Sequence, residues 1–331
     1  MCLNLCGVAV GIMSAAMMGL SFIAASFCTQ LWQLVLTQGF AYGCAASFPY
    51  ILGVTVPMQW IEKRRGLAVG IVYMGSGIGG IWISVLTRTC IETLGRHWAN
   101  RILGITMIAV GMALSPLMQA RRPKQRPKKL LDLSIVKESG FLLIAAASFF
   151  SMGPNTVPFL MMPTYVTKVL EESRKLGLFV VTIINLTGIF GRLVAGFLSD
   201  QFGPINILII WTALAAFSQL GLWLPFKTVP ALVAAAALFG VTGSAIIGML
   251  LNALSHMFGV ARITYISGLV YMTYSIASLA TAQSASLMLD TVGHGTDYTW
   301  TIIYTGLLLV VSTLILVALR LKLSTKLFFY A

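Results

Sequence analysis

The chain has 331 residues, of which 58% are hydrophobic and 9% charged, with a formal net charge of +13 and a mean hydropathy of +0.91. Soluble domains carry about 25% charged residues, so this composition excludes an ordinary soluble domain and predicts an all-α polytopic membrane protein. The 22 Lys and Arg are scattered among apolar runs rather than gathered on one basic face, which argues against nucleic acid as a partner, and the five cysteines form neither a paired framework nor a metal-ligand spacing.

Ten apolar runs follow in chain order: Leu3–Phe27, Leu31–Pro57, Gly66–Leu86, Trp98–Met118, Phe141–Val166, Leu176–Leu198, Ile205–Leu224, Pro230–Leu254, Ile263–Leu289 and Trp300–Leu319. Each approaches or exceeds the roughly 20 residues that cross about 30 Å of hydrocarbon, and in lipid such a run must satisfy its own backbone hydrogen bonds as a helix. The first run lacks the basic leader of a signal peptide and is long for one, so it is read as a span. In the third, Gly75-Ser76-Gly77-Ile78-Gly79-Gly80 superficially resembles a phosphate-binding loop, but it has no adjacent strand. Small residues inside an apolar span instead predict close helix packing. Pro154, Pro158 and Pro163 predict a kinked or broken fifth helix. No nucleophile, base and acid stand in a catalytic pattern, so neither an enzyme nor a cofactor is expected.

Shifted by 198 residues, the chain repeats itself. Gly70-Ile71-Val72-Tyr73-Met74 recurs as Gly268-Leu269-Val270-Tyr271-Met272, Arg64 falls on Arg262 and Ile78 on Ile276, and apolar runs fall on apolar runs. The halves are residues 1–120 with four helices and 139–331 with six, joined by a basic linker over 121–138. The counterpart of the run at Phe141 would begin upstream of Met1, with room for two spans, so the first half is expected to lack two helices. With Met1 in the cytoplasm, fourteen of the 22 Lys and Arg fall in cytoplasmic segments, which predicts that both termini are cytoplasmic. The stretch Arg121-Arg122-Pro123-Lys124-Gln125-Arg126-Pro127-Lys128-Lys129 reads as a topology anchor against anionic membrane lipid.

Parallel halves joined by a basic linker are the organisation of the major facilitator superfamily. Gly191-Arg192-Leu193-Val194-Ala195-Gly196-Phe197-Leu198-Ser199-Asp200-Gln201-Phe202-Gly203 resembles the G-R-x-x-x-G-x-x-x-D-x-x-G segment that closes the second helix of that family's second half. Lys63-Arg64-Arg65-Gly66-Leu67-Ala68-Val69-Gly70 resembles the K-R-R-x-L-A-x-G loop of its monocarboxylate-porter branch, and Phe258-Gly259 after the eighth run agrees. The resemblance implies a helical bundle of two pseudo-repeated halves, about ten helices here, that moves a small organic solute, such as a monocarboxylate-like anion, by alternating access. It implies a plasma membrane location, with an organelle membrane as the alternative, and leaves any accessory membrane protein unspecified. The competing expectation is a truncated gene product or a non-transporting relic that only binds or scaffolds in the membrane.

Within that frame Arg192 has two readings: a guanidinium contact for an anionic substrate, or a side chain that snorkels or pairs with Asp200. Asp200, with Gly196, Gly203, Arg64 and Arg65, is expected to form a conformational latch, its carboxylate pairing with basic groups or with a helix N-terminus in one of two bundle arrangements. Asn155, Asn252 and Tyr42 are candidate pathway contacts, each also able to bond a neighbouring helix. Some proton-coupled family members carry Asp one turn before the Arg; this chain has Gly188, and its nine acids lie in loops or near helix ends. Proton coupling would therefore fall to His256 or to a group on the missing helices, or no proton is coupled at all; His256 reads more readily as an interfacial hydrogen-bonding residue than as a relay.

Overall fold

A computed structural model of the chain describes residues 2–61, 63–117, 133–259 and 263–323. Among these residues the structure is helical, with no strand: α1 (Cys2–Ala25), α2 (Leu31–Trp60), α3 (Arg65–Leu114), α4 (Ser139–Lys168), α5 (Arg174–Phe202), α6 (Pro204–Trp223), α7 (Val229–Phe258), α8 (Ile263–Thr291) and α9 (Thr299–Leu323). Eight of them are long and apolar enough to cross a membrane. The exception is α8, whose 29 residues suffice in length but are interrupted by Ser, Thr and Tyr. Large apolar side chains point outward, Phe190 at 61% exposure and Leu314 at 64% among them. That inverts the soluble pattern and suits a lipid solvent.

The third and fourth expected spans are one element. At about 1.5 Å per residue the 50 residues of α3 would extend roughly 75 Å, more than twice the hydrocarbon thickness. They are divided at Gly95, whose φ of 81° and ψ of 169° leave helical geometry where only glycine is at ease. The expected loop between Leu86 and Trp98 is thus helical up to a single-residue break.

The chain forms two compact units. One comprises residues 1–62 and 79–128. In it α1 packs on α2 and crosses the end of α3 through small residues: a Cβ at Gly104 would lie 2.5 Å from the Gly19 carbonyl oxygen, and one at Gly111 the same distance from the Ala15 methyl. His97 Nδ1 lies 2.5 Å from the Ser26 carbonyl oxygen, and Arg101 donates to the Ser26 hydroxyl at 3.1 Å while lying over the Phe27 ring at 4.7 Å.

The other unit comprises residues 63–78 and 129–331. It takes the first turns of α3 together with α4 to α9. Val180, Ile184 and Ala195 of α5 and Ala235, Ala236 and Phe239 of α7 are fully buried. Gly191 and Gly240 let these two helices touch, since a Cβ at either would run into Val241 or Ile184 backbone. The prolines of α4 act as expected: the helix breaks after Asn155 and resumes at Val157, with Pro158 in the new first turn. Helix α7 breaks too, at Ser244 and Ala245. Of the basic linker, residues 121–132 lie outside the described residues, as do Arg262 and Lys326.

The expected packing role of the Gly75–Gly80 stretch holds at Gly77, where a Cβ would meet Ile189 at 2.6 Å. It does not hold at Gly75 or Gly79, which have nothing within 4 Å. Overpacking a crossing costs about 1–3 kcal/mol, so Gly104→Val is expected to lower the melting temperature by roughly 3–10 °C. Gly75→Ala should leave it unchanged. Equal melting of the two variants in detergent would mean that the crossing of α1 and α3 spreads freely.

Candidate functional site

The start of α3 is an uncapped helix end by sequence. Positions 63 to 65 are Lys, Arg and Arg, which have no acceptor to offer the first amides and place positive charge at the positive end of the helix dipole. The acceptor comes from α5. Asp200 Oδ1 accepts from the Gly66 N–H at 2.7 Å and Oδ2 from the Leu67 N–H at 2.9 Å. Both carboxylate oxygens are thus taken by a helix N-terminus, one of the two partners expected for a latch, and not by the guanidinium of Arg192. Arg64 is exposed and Arg65 half-buried.

Glycine makes this approach possible. A Cβ at Gly70 would lie 2.5 Å from the Arg192 carbonyl oxygen, and Cβ atoms at Gly66 and Gly196 would each collide with the opposite backbone. Gly203 ends α5 at φ 85°, turning the chain into α6 immediately after the acid. Ser199, one residue before Asp200, donates to the Gly196 carbonyl at 2.7 Å and accepts from Asn252 Nδ2 at 2.9 Å. Eight residues after Arg65 at the start of α3, the hydroxyl of Tyr73 lies 3.1 Å from that of Tyr271, so the two tyrosines related by the 198-residue shift hydrogen-bond to each other.

Arg192 lies in the same crossing, half-buried. Its Nε donates to the Ser244 carbonyl at 3.2 Å, at the break in α7, where a helix interruption leaves carbonyl oxygens for side chains to satisfy. Asn155, at the break in α4, uses the neighbouring carbonyl: its Nδ2 donates to Gly243 at 2.9 Å. The interrupted α7 therefore offers adjacent carbonyls to an amide of the interrupted α4 and to a guanidinium of the continuous α5. The sequence reading missed the α7 break, although Gly240-Val241-Thr242-Gly243-Ser244 carries its signal in small residues inside an apolar run.

Arg192 and Asn252 line one crevice with Gly66, Gly70, Tyr73 and Gly196. Its volume of ≈ 10 Å³ holds at most a single water, so the crossing is closed. Asn252 is fully buried and Asn155 is 7% exposed. The Oδ1 atoms of both are buried without a hydrogen-bond partner among the described residues. At Gly188, where some proton-coupled members were expected to carry Asp, a Cβ would lie 2.7 Å from the Ser244 hydroxyl. Tyr42 belongs to the other unit, edge-on to Phe22 at 5.2 Å between centroids. His256 is exposed in the last turn of α7.

Comparison with known proteins agrees with this architecture. The family model described as Major Facilitator Superfamily matches residues 8–277 and 173–327. The MFS-type transporter opdF of Penicillium oxalicum is 29% identical over 91% of this chain and 70% of its own length. The agnestins efflux protein AgnL12 of Paecilomyces divaricatus is 27% identical over 91% and 69%. The aspyridones efflux protein apdF of Emericella nidulans is 30% identical over 72% and 49%. A crystal structure of the E. coli fucose:proton symporter FucP superposes with a TM-score of 0.71 over 95% of this chain and 83% of that one, at 13% identity, a likeness of fold alone. The chain belongs to the Major Facilitator Superfamily and is an integral, multi-pass membrane protein of this transporter family.

Proposed function

We propose that the chain is a carrier of the monocarboxylate-porter-like branch that moves a small organic anion across a membrane by alternating access. The observation that carries the reading is the position of Arg192. A guanidinium within an apolar bundle costs at least a few kcal/mol unless it is partnered or meets water or ligand. Here one edge is engaged by the Ser244 carbonyl and the residue lines the crevice shared with Asn252. The fork geometry of guanidinium matches a carboxylate, and Asn252 adds an amide that can orient it. The similarity to AgnL12 and apdF, efflux proteins for agnestins and aspyridones, supports export as the direction to test first.

In this reading Asp200 is the latch. While it caps α3, the crevice is closed; access from that side requires the α3 and α5 ends to part, releasing the Gly66 and Leu67 amides. The halves at 1–120 and 139–331, the linker between them and both termini in the cytoplasm belong to the same proposal. It places the Asp200 end of the bundle on the cytoplasmic side.

Two measurements test it. In membrane vesicles containing the 331-residue chain, transport of one member of a panel of labelled organic acids is expected, and Arg192→Lys at matched expression should reduce it roughly tenfold or more, since one amine replaces a charged bidentate donor. Unchanged transport would make Arg192 structural. A second preparation, extended ahead of Met1 by a helix pair bearing the first-half counterpart of Asp200, tests the helix count: transport by that form alone would assign two further helices to the working unit. Transport by neither form, with cargo bound or not, would favour a membrane scaffold.

For the latch, Asp200→Asn keeps one carbonyl acceptor and loses the charge and the second oxygen. Hydrogen exchange in a peptide covering Gly66 and Leu67 is expected to rise roughly tenfold, the loss of about one charge-assisted bond. Unaltered exchange would rule the cap out as the element holding this end shut.

A further inference from the structure

A larger cavity, ≈ 250 Å³, lies in the same unit, at the other end of the helices from Asp200. It is formed where α4 ends, α6 ends and α9 begins, and the 29 residues of α5 put roughly 40 Å of helix between its level and the latch. At about 30 Å³ per water its volume equals about eight water molecules, room for a small organic molecule.

Its floor is aromatic and rigid. Tyr165 is 3% exposed and stands edge-on to Trp223 at 5.7 Å and to Tyr298 at 5.3 Å. Tyr298 is held by its hydroxyl, which donates to Thr164 at 3.1 Å. Leu224 and Ile302 complete an apolar wall.

Two opposite charges face this floor. Asp297 Oδ1 accepts from the Thr299 hydroxyl at 2.6 Å and from the Thr299 N–H at 3.0 Å, which caps α9 and fixes the carboxylate. Those two bonds, the hydroxyl first, hold the Asp297 carboxyl below the usual carboxylate range; desolvation works weakly against them, and the nearby Lys227 ammonium adds to the lowering. Oδ2 receives no protein donor among the described residues, and Lys227 forms no hydrogen bond or ion pair there. The charges are near enough to feel each other, yet they do not close into a salt bridge. An acceptor and a donor held apart over an aromatic floor match a molecule with both charges of its own.

We propose that this cavity binds a small zwitterion with an aromatic or aliphatic body, an amino-acid-like molecule. Its ammonium group meets Asp297 Oδ2 and the face of Tyr165, its carboxylate meets Lys227, and its body rests on Tyr298, Leu224 and Ile302. The site is separate from the Arg192 crossing and stands whether or not the chain transports an acid, because its test reads binding alone.

The test is saturable binding of radiolabelled L-phenylalanine to the purified full chain in lipid nanodiscs, with 2-phenylethylamine and 3-phenylpropionate as competitors that each carry one charge. Binding is expected in the millimolar range or tighter. Asp297→Asn, which keeps the cap on α9, and Lys227→Gln should each weaken it roughly five- to tenfold while melting like the parent. Both competitors should displace the label less well than unlabelled L-phenylalanine. Absence of saturable binding, binding indifferent to both substitutions, or displacement by 2-phenylethylamine as effective as by L-phenylalanine would overturn the proposal, the last by making this a site for cations.

Discussion

The constraint on which the described core of this protein depends is the amide deficit at the start of α3. A helix that opens on Lys63, Arg64 and Arg65 cannot cap itself, and in an apolar surrounding the first N–H groups cannot all turn to water. Asp200 removes the deficit from another helix, 133 and 134 residues away in the chain. Because a carboxylate reaches only a few ångströms, that bond forces the end of α5 onto the first turns of α3, and glycine at 66, 70 and 196 follows as a steric requirement. The position of Tyr73 against Tyr271 and of Asn252 against Ser199 is then set by helix geometry.

Helix breaks perform the second task, which is to keep polar groups in an apolar bundle at tolerable cost. Continuous helices would satisfy their carbonyls internally and leave Arg192 and Asn155 unserved. Interrupting α7 at Ser244 leaves two adjacent carbonyls, and Asn155 at the break in α4 and Arg192 of α5 each take one. The arrangement engages Arg192 through Nε at the edge of the crevice it lines with Asn252. The crowding that brings α5 to α7 also accounts for Gly188, because the space beside it is filled by Ser244.

Much of this was legible in the sequence, for physical reasons. Apolar length announces membrane helices, and each of the ten runs falls on one of the nine helices, the third and fourth sharing α3. The shift that aligned Tyr73 with Tyr271 was a pattern of identity, yet it selected two residues whose hydroxyls meet. The Asp200 motif pointed to a latch because an acid followed by Gly203 is a helix end with a charge to place. What sequence could not supply was the choice of partner: basic groups and a helix N-terminus stood as alternatives, and the amides of Gly66 and Leu67 take the carboxylate. The break in α7 escaped because small residues in an apolar run signal packing as readily as interruption. The absence of a loop near Gly95 escaped because a single glycine can do there what a loop does elsewhere. The aromatic cavity was invisible, its walls coming from three separate segments around Tyr165, Leu224 and Tyr298.

Repetition in the sequence does not extend to environment, and the glycines mark the difference. Gly70 sits under the Arg192 backbone with no room for a methyl group, whereas its counterpart Gly268 has nothing within 4 Å. In the interior of a helix an unneeded glycine is destabilising by roughly 0.5–1 kcal/mol relative to alanine. At Gly70 close contact over the backbone of α5 offsets that cost. At Gly268 no contact among the described residues offsets it. Tyr271, three residues on, is nevertheless engaged, so the two copies are matched in what they present to each other and unmatched in what covers them. The tyrosine pair thus brings two positions related by the 198-residue shift into contact, while the glycines beside them are covered differently.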